Sequence, residues 1–418
     1  MKITIHRGIN QIGGCITEIA TNTSRILIDF GHNLPDGEGI GHDSLANRES
    51  IENLTDGIDA IFYTHYHGDH IELFHYVPQS IIQYIGETAQ KVVLRKYEQL
   101  KLISGEEEIF ATSLAKVKEM IPIKESVSVQ IKDIKVTPYF VSHSAYESFM
   151  FLIEAEGKRI LHTGDFRDHG YLGKGLRQIL KSLLTKGKVD VLIIEGTMLS
   201  RQGERVKAEA ELQVEVQSIM KRYKNVFVLC SSTDMERLAT FYAANKKNNG
   251  RPIICDNYQK DILQIFSNSA GNKSPLFKFD KVYDFNKKNQ KLLHYMDDRG
   301  FCMLVRPTEK FTDYYNFLKS YIKEDETVLI YSMWGMYINS ECKHKKDSYL
   351  DFVNQFPAVE KVHTSGHASP QCITDICKLI NPSLAIISIH GEQAEDFYSL
   401  DMAEPLKKKI RTTATFEF

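Results

Sequence analysis

The chain of 418 residues is longer than a single hydrophobic core usually supports, so two domains are expected. Its residues are 42% hydrophobic and 25% charged with a formal net charge of −2, which excludes a disordered chain and a broadly basic nucleic-acid-binding protein. No signal-peptide pattern opens the sequence, and no run of about 18 apolar residues predicts a membrane span. The seven cysteines include no CxxC pair, which is typical of reduced thiols in a cytoplasmic protein.

Apolar and polar residues alternate over roughly the first thirty positions, which predicts a meander of strands. Residues 31–57 are rich in glycine, aspartate and asparagine and are predicted to form a long loop. A buried strand is predicted at 58–64, and helices are predicted at 87–104 and 111–120. Further strands are predicted within KVTPYFVSHS, SFMFLIEAEG and KRILHTGDF. The segment 189–197 has almost no polar residue and should be a strand that is buried on both faces.

From about residue 201 the pattern changes. Helical segments at 206–222 and 234–248 alternate with apolar strands, which predicts a separate parallel-sheet unit. After about residue 350, histidines again follow apolar strands, as they do in the first part of the chain. The simplest organisation is a domain formed by residues 1–200 and 351–418, with a second domain inserted at 201–350.

The strongest chemical signal is HYHGDH, which directly follows the strand predicted at 58–64. His65 and His67 are two residues apart and share one side of an extended segment. Asp69 and His70 lie beyond a glycine and can face a second ion. Imidazole and carboxylate are ligands that zinc uses at catalytic sites. A single histidine is usually an ordinary surface or core residue, but four such side chains within six residues favour a metal site.

Two metal ions need about seven or eight protein ligands, so this motif predicts distant partners. Three candidates stand at the ends of other apolar strands: His143, Asp165 and His390. A carboxylate such as that of Asp165 can bridge two cations. Each of the three is also compatible with an ordinary turn or strand end, but their shared placement favours metal binding.

Seven motifs occur in the order IDFG, HYHGDH, SHS, HTGDF, EGT, HTSGHAS and SIHGE. In this order they resemble the β-CASP branch of the metallo-β-lactamase superfamily, and most of all its ribonuclease J-type nucleases. The segment LCSSTDMERLATFYAANKKNNGRPIICDN is also similar to the opening of the β-CASP insertion. The resemblance implies an α/β fold in which an αββα metallo-β-lactamase sandwich carries an inserted β-CASP α/β domain at 201–350, with the active site in the cleft between them.

The resemblance also implies how the ligands divide between two zinc ions, or manganese ions. One ion would be held by His65, His67, His143 and Asp165. The other would be held by Asp69, His70, Asp165 and His390. Asp69 would therefore be essential for catalysis.

Further residues match positions around this metal pair. Asp29 would orient the ligand loop, Glu195 matches an acidic motif, and His367 matches the general acid. Without the resemblance to this family, Glu195 could also be a residue near a helix start, and HTSGH could be a simple turn. The resemblance implies a phosphate-binding loop formed by His363, Ser365, Gly366 and Ala368.

The expected activity is two-metal hydrolysis of RNA phosphodiester bonds, with single-stranded DNA as an alternative substrate. Ribonuclease J-type enzymes usually carry a C-terminal assembly domain, which this chain is expected to lack because it stops soon after His390, so the oligomeric state stays open. One rival is a hydrolase of a small ester, lactone or thioester, which would need neither the insertion nor HTSGH. The other is a non-catalytic binding protein, which the filled ligand positions disfavour.

Overall fold

The computed structural model describes residues 1–34, 48–105, 107–201, 203–248 and 250–418. The described chain divides into two compact units. Leaving aside residues 35–47, the first unit runs from Met1 to Glu204 and resumes from Gly366 to Phe418, and the second unit runs from Arg205 to Ser365. Within the described ranges, the chain therefore leaves the first unit after Glu204 and returns at Gly366 to complete it.

The predicted strands are found, and the described residues contain several more. In chain order they are β1 (Lys2–Arg7), β2 (Ile16–Ala20), β3 (Arg25–Ile28), β4 (Ala60–Phe62), β5 (Ile82–Gly86), β6 (Ile121–Ile123), β7 (Val129–Ile131), β8 (Ile134–Val141), β9 (Ser148–Ala155), β10 (Lys158–His162), β11 (Val191–Glu195), β12 (Asn225–Cys230), β13 (Ile253–Cys255), β14 (Val282–Asp284), β15 (Phe301–Val305), β16 (Thr327–Ser332), β17 (Val359–Lys361), β18 (Ala385–Ile389), β19 (Ile410–Arg411) and β20 (Thr415–Glu417). Strands β1, β2 and β3 pair antiparallel in sequence order, which confirms the predicted meander.

The helices lie between these strands, and none in the described part of the chain is long and apolar enough to cross a membrane. They are α1 (Arg48–Thr55), α2 (Gly68–Ile71), α3 (Glu87–Ser104), α4 (Glu107–Glu119), α5 (Leu176–Thr185), α6 (Glu209–Arg222), α7 (Met235–Lys247), α8 (Asn257–Ser269), α9 (Gln290–Arg299), α10 (Glu309–Leu318), α11 (Asp347–Val353), α12 (Pro370–Ile380) and α13 (Glu404–Lys407).

The loop predicted at 31–57 is wrong at its end, where α1 forms. This helix has apolar residues at Ile51 and Leu54, three positions apart, and Ile51 is buried. Because polar residues surround these two apolar positions, the sequence pattern is too short to predict a helix. Positions 35–47 of the predicted loop lie outside the described residues.

The first unit is built from two seven-stranded sheets that share one apolar core. The order of one is β20-β1-β2-β3-β4-β5-β6, and that of the other is β19-β18-β11-β10-β9-β8-β7. Ile28 and Phe62 of the first sheet pack in one cluster with Phe151 and Ile193 of the second. The second sheet packs its other face against α5 and α12, while α3 contacts β5 of the first sheet. The predicted αββα sandwich is confirmed.

The direction of the strands brings the candidate ligands to one edge of the second sheet. Strands β10, β11 and β18 run parallel, and β8 runs in the same direction because both β8 and β10 pair antiparallel with β9. Their carboxyl ends therefore lie at the same edge. All five residues of β11 are buried, as its apolar sequence predicts.

The second unit contains a six-stranded sheet in the order β14-β13-β15-β12-β16-β17. Every pairing in it is parallel, and the strands alternate with helices α6–α11. A buried ion pair joins α6 to α7, because Nη2 of Arg237 lies 2.9 Å from Oε1 of Glu209. Thr240 also donates its hydroxyl to Glu209 at 2.6 Å, so the buried carboxylate is well satisfied.

Candidate metal centre

The HYHGDH motif forms a loop that runs from the end of β4 into the short helix α2. Backbone hydrogen bonds hold it in place: Phe30 N–H donates to His70 O at 2.8 Å, and Cys15 N–H donates to Asp69 O at 2.9 Å. A Cβ added to Gly31 would lie 1.8 Å from Asp69 O. Glycine is therefore required at position 31 for the loop to approach so closely.

Three histidines form the first group of candidate ligands. Nδ1 of His67 lies 3.0 Å from Nε2 of His65 and 3.2 Å from Nε2 of His143. Burial lowers the pKa of His67 to about 4 and the pKa values of His65 and His143 well below the usual range. The rings are therefore neutral near pH 7 and have lone pairs for a cation. Nδ1 of His143 donates to Gly366 O at 2.7 Å, which fixes the orientation of that ring.

Asp69, His70 and His390 form the second group. Nε2 of His390 lies 3.1 Å from Oδ2 of Asp69. The Nδ1 atoms of both histidines are hydrogen-bonded to other side chains. Nδ1 of His70 lies 2.7 Å from Oδ2 of Asp29, and Nδ1 of His390 lies 2.7 Å from Oγ1 of Thr197. Asp29 and His390 both have positive φ angles, of 62° and 52°.

Asp165 lies between the two groups. Its Oδ2 atom is 4.0 Å from Nε2 of His65, 3.8 Å from that of His143, 3.2 Å from that of His70 and 3.6 Å from that of His390. Although burial opposes ionisation, the surrounding histidines hold the pKa of this carboxyl well below its usual range. One carboxylate oxygen therefore faces imidazoles of both groups, as a bridging ligand does.

The donor set fits metal ions. Among the described residues, Nε2 of His70 and Oδ1 of Asp165 are buried and have no hydrogen-bond partner. Ring nitrogens of His65 and His70 and a carboxylate oxygen of Asp165 lie within 4.8 Å of one another, as do nitrogens of His65, His67 and His143. Unsatisfied buried donors and acceptors are costly, and a cation held by several of them would remove that cost.

A histidine–carboxylate pair lies beside these groups. Nδ1 of His367 is 3.0 Å from Oε2 of Glu195 and 3.6 Å from Oδ2 of Asp165. Glu195 is fully buried, and its Oε1 accepts the backbone N–H of Phe166 at 2.9 Å and that of Ala368 at 3.4 Å. The carboxylate can therefore orient the half-buried imidazole.

The predicted phosphate-binding residues fall in different parts of the fold. Gly366 and Ala368 belong to the first unit, where an added Cβ at Gly366 would lie 2.5 Å from Oγ of Ser144. His363 and Ser365 end the second unit, where Nδ1 of His363 lies 3.3 Å from Ser332 O. The phosphate-binding role of all four residues stays a prediction.

Two residues beside the candidate ligands were not predicted from the sequence. Thr197 contacts Nδ1 of both His390 and His367, and it is the last residue of the EGT motif that begins with Glu195. Cys15 carries no signal of this kind, because it is far from every ligand in sequence. Its sulfur lies within 4.8 Å of ring nitrogens of His70 and His390.

Comparison with known proteins agrees with this geometry. Residues 24–224 match the model of the beta-lactamase superfamily domain. The chain is 22% identical to ribonuclease J of Helicobacter pylori (strain B128), over 94% of this chain and 56% of that protein. It is 22% identical to the RNase J-like protein of Methanocaldococcus jannaschii, over 98% of this chain and 96% of that protein. The chain thus spans about half the length of the first of these relatives.

Two further similarities extend the comparison. Cleavage and polyadenylation specificity factor subunit 3 of Dictyostelium discoideum is 24% identical over 73% of this chain and 41% of that protein. A crystal structure of an Enterococcus faecalis V583 protein superposes with a TM-score of 0.70 at 19% identity, covering 94% of this chain and 95% of that one, and this likeness supports the fold alone. The family resemblance predicted from the motifs is confirmed: residues 24–224 match the beta-lactamase superfamily domain, and the proteins that the chain is similar to include ribonuclease J and related β-CASP nucleases.

Proposed function

We propose that the protein is a metal-dependent nuclease that hydrolyses RNA phosphodiester bonds and uses two zinc ions, with manganese as the alternative metal. The main support for this proposal is the position of Asp165, whose Oδ2 atom lies within 4.0 Å of histidines from both ligand groups. Ribonuclease names among the relatives support RNA as the substrate. We also propose that the second unit is the β-CASP domain predicted at 201–350, which its parallel sheet supports, and that the first unit is the metallo-β-lactamase domain predicted at 1–200 and 351–418. In the described residues the boundaries fall at 204–205 and 365–366.

The ligands of the proposed ions come entirely from the first unit. One ion would be held by His65, His67, His143 and Asp165, and the other by Asp69, His70, Asp165 and His390. Such ions lower the pKa of a water molecule and stabilise negative charge on phosphoryl oxygens. Asp29 and Thr197 accept the Nδ1 hydrogens of His70 and His390, so each Nε2 lone pair stays available for a metal.

His367 is the proposed general acid. Glu195 accepts its Nδ1 hydrogen at 3.0 Å, and the negative charge of this buried carboxylate stabilises the imidazolium. Nε2 of the protonated ring then donates its hydrogen to the departing 3′ oxygen, which leaves a 3′-hydroxyl and a 5′-phosphate. The side chains of His363 and Ser365 and the backbone at Gly366 and Ala368 would bind the phosphate.

A pair of substrates tests the acid role. His367→Ala should slow cleavage of single-stranded RNA by roughly 10²–10⁴-fold, because the 3′ oxygen needs a proton in order to leave. The same variant should be far less impaired on a nitrophenyl phosphodiester, whose phenolate leaves unaided. Rates on both substrates are compared with those of His294→Ala, a change at an exposed histidine of α9.

Metal content of the His367→Ala protein is the control for this comparison, and it should match that of the wild type. An equal defect on both substrates would contradict the acid role and make His367 a phosphate-positioning residue. Turnover of a lactone or thioester with no activity on RNA would contradict the proposed nuclease function altogether.

A further inference from the structure

Cys15 is a buried side chain that the mechanism above does not use. Its sulfur, one ring nitrogen of His70 and one of His390 all lie within 4.8 Å of one another. The backbone of Cys15 is also tied to the ligand loop, because its N–H donates to Asp69 O at 2.9 Å and its carbonyl accepts from Gly31 N–H at 3.2 Å. The position of the thiol is therefore fixed by the same contacts that fix the metal ligands.

A buried cysteine often serves only as a small apolar side chain. The surroundings of Cys15 differ from that case, because Nε2 of His70 is buried without a hydrogen-bond partner. A Cβ added to Gly8 would lie 3.1 Å from the Cys15 sulfur, so glycine at that position leaves the sulfur its space. The thiol thus lies between a glycine and two imidazoles, one of which has a free donor atom.

The spacing fits one shared ion. Zinc lies about 2.3 Å from sulfur and about 2.0–2.1 Å from nitrogen, so sulfur and nitrogen ligands of one tetrahedral ion are about 3.5 Å apart. The sulfur of Cys15 and the ring nitrogens of His70 and His390 lie within 4.8 Å of one another, which is close enough for the three side chains to converge on one ion. Asp29 and Thr197 engage the Nδ1 atoms of both histidines, which leaves their Nε2 atoms to bind a metal. Nε2 of His390 also lies 3.1 Å from Oδ2 of Asp69, a proposed ligand of the same ion.

We propose that Cys15 is a further ligand of the ion held by Asp69, His70 and His390, an inference that rests on the proposed metal-dependent function. The sulfur binds as a thiolate, so its proton passes to water as the sulfur–metal bond forms. Thiolate is a soft ligand that favours zinc over manganese. The two ions are therefore unlike: one has only nitrogen and oxygen ligands, and the other also has sulfur.

Cobalt(II) substitution tests this proposal without an activity assay. Metal-free protein is titrated with Co²⁺ while the visible d–d bands and the near-ultraviolet thiolate-to-cobalt charge-transfer band are recorded. Wild-type protein should show both features, and Cys15→Ser should lose the charge-transfer band while keeping the d–d bands. Cys377→Ser, a change at another buried cysteine of the first unit, should keep both.

The outcomes separate this proposal from the proposed function. Visible bands without a charge-transfer band in wild-type protein would overturn the ligand role of Cys15 and leave the metal-dependent function intact. Failure to bind cobalt at all would overturn both. If Cys15→Ser does not fold, zinc X-ray absorption of the wild-type protein gives the answer: sulfur at about 2.3 Å is expected, and its absence overturns the proposal.

Metal preference gives a second readout. Removing the sulfur should lower the affinity for zinc by about tenfold or more, as losses near metal ligands do, and should change manganese affinity much less. Competition between the two metals measures this shift in wild type, Cys15→Ser and Cys377→Ser. Equal losses for both metals in Cys15→Ser would contradict a soft-ligand role.

Discussion

A single atom, Oδ2 of Asp165, lies within 4.0 Å of five imidazoles, four of which belong to proposed ligands. Oδ2 of Asp69, by contrast, lies 3.1 Å from His390 and 4.0 Å from His70. The two carboxylates are therefore unequal. Asp165 faces both ligand groups, and Asp69 faces only one. Replacing each in turn should separate their contributions to metal binding.

Asp69→Ala and Asp165→Asn should differ in metal content. Wild-type protein should hold about two ions, Asp69→Ala about one, and Asp165→Asn fewer than one, because the amide cannot bridge two cations. Elemental analysis after dialysis measures this series, with circular dichroism as the folding control. Equal content in the two variants would show that Asp165 does not bridge.

A second residue-scale prediction concerns acid stability. Burial opposes ionisation of Glu18, yet its bonds to His6 at 2.8 Å and Arg25 at 2.9 Å lower the pKa of the carboxyl to about 2. Because this pKa is below that of the unfolded chain, about 4.3, the ionised carboxylate stabilises the fold above pH 4.3. That contribution, no more than about 3 kcal/mol, is lost as the pH falls from about 4.3 to about 2.

Glu18→Gln should therefore reduce the free energy of unfolding near pH 7 and make it less sensitive to pH between about 5 and 2. Urea unfolding of metal-free wild type and variant across this range isolates the effect from metal loss. A difference between the two proteins that stays constant with pH would contradict the assignment.

Among the structural elements, the ligand loop depends on one glycine. A side chain at position 31 would collide with the backbone oxygen of Asp69, which cannot move without the loop. Gly31→Ala should cost about 1–3 kcal/mol of stability or more and should reduce metal content. Gly175→Ala is the matched control, because nothing lies within 4 Å of its added Cβ and its φ is −76°. Normal metal content in Gly31→Ala would show that the loop tolerates the displacement.

The sequence predicted the helices and strands more accurately than the contacts between distant residues. Apolar continuity identified β11, and the periodicity of 87–104 and 234–248 identified α3 and α7 almost to the residue. That the candidate ligands lie close together was predictable, because they follow apolar strands whose direction brings those ends to one edge. Thr197 and Cys15 were not, because their roles depend on contacts between residues distant in sequence.

For the whole molecule, every proposed metal ligand lies in the first unit, while the second unit has its own sheet and its own buried Glu209–Arg237 pair. Removing metal with a chelator should therefore lower hydrogen-exchange protection in strands such as β10 and β18, because metal binding stabilises the folded form. Protection of β12 and β16 in the second unit should change little. Exchange mass spectrometry before and after chelation, with zinc added back as the control, measures both. An equal loss of hydrogen-exchange protection in the two units would contradict this prediction.

The left-handed backbone of His390 has an evolutionary consequence. A φ of 52° is strained for a histidine but natural for glycine, and such strain costs about 1–3 kcal/mol. His390→Gly would relieve it and would also remove a proposed ligand. In the metal-free protein, selection for thermal stability alone would thus favour glycine at position 390, and the histidine can offset its strain only through the ion that it would hold.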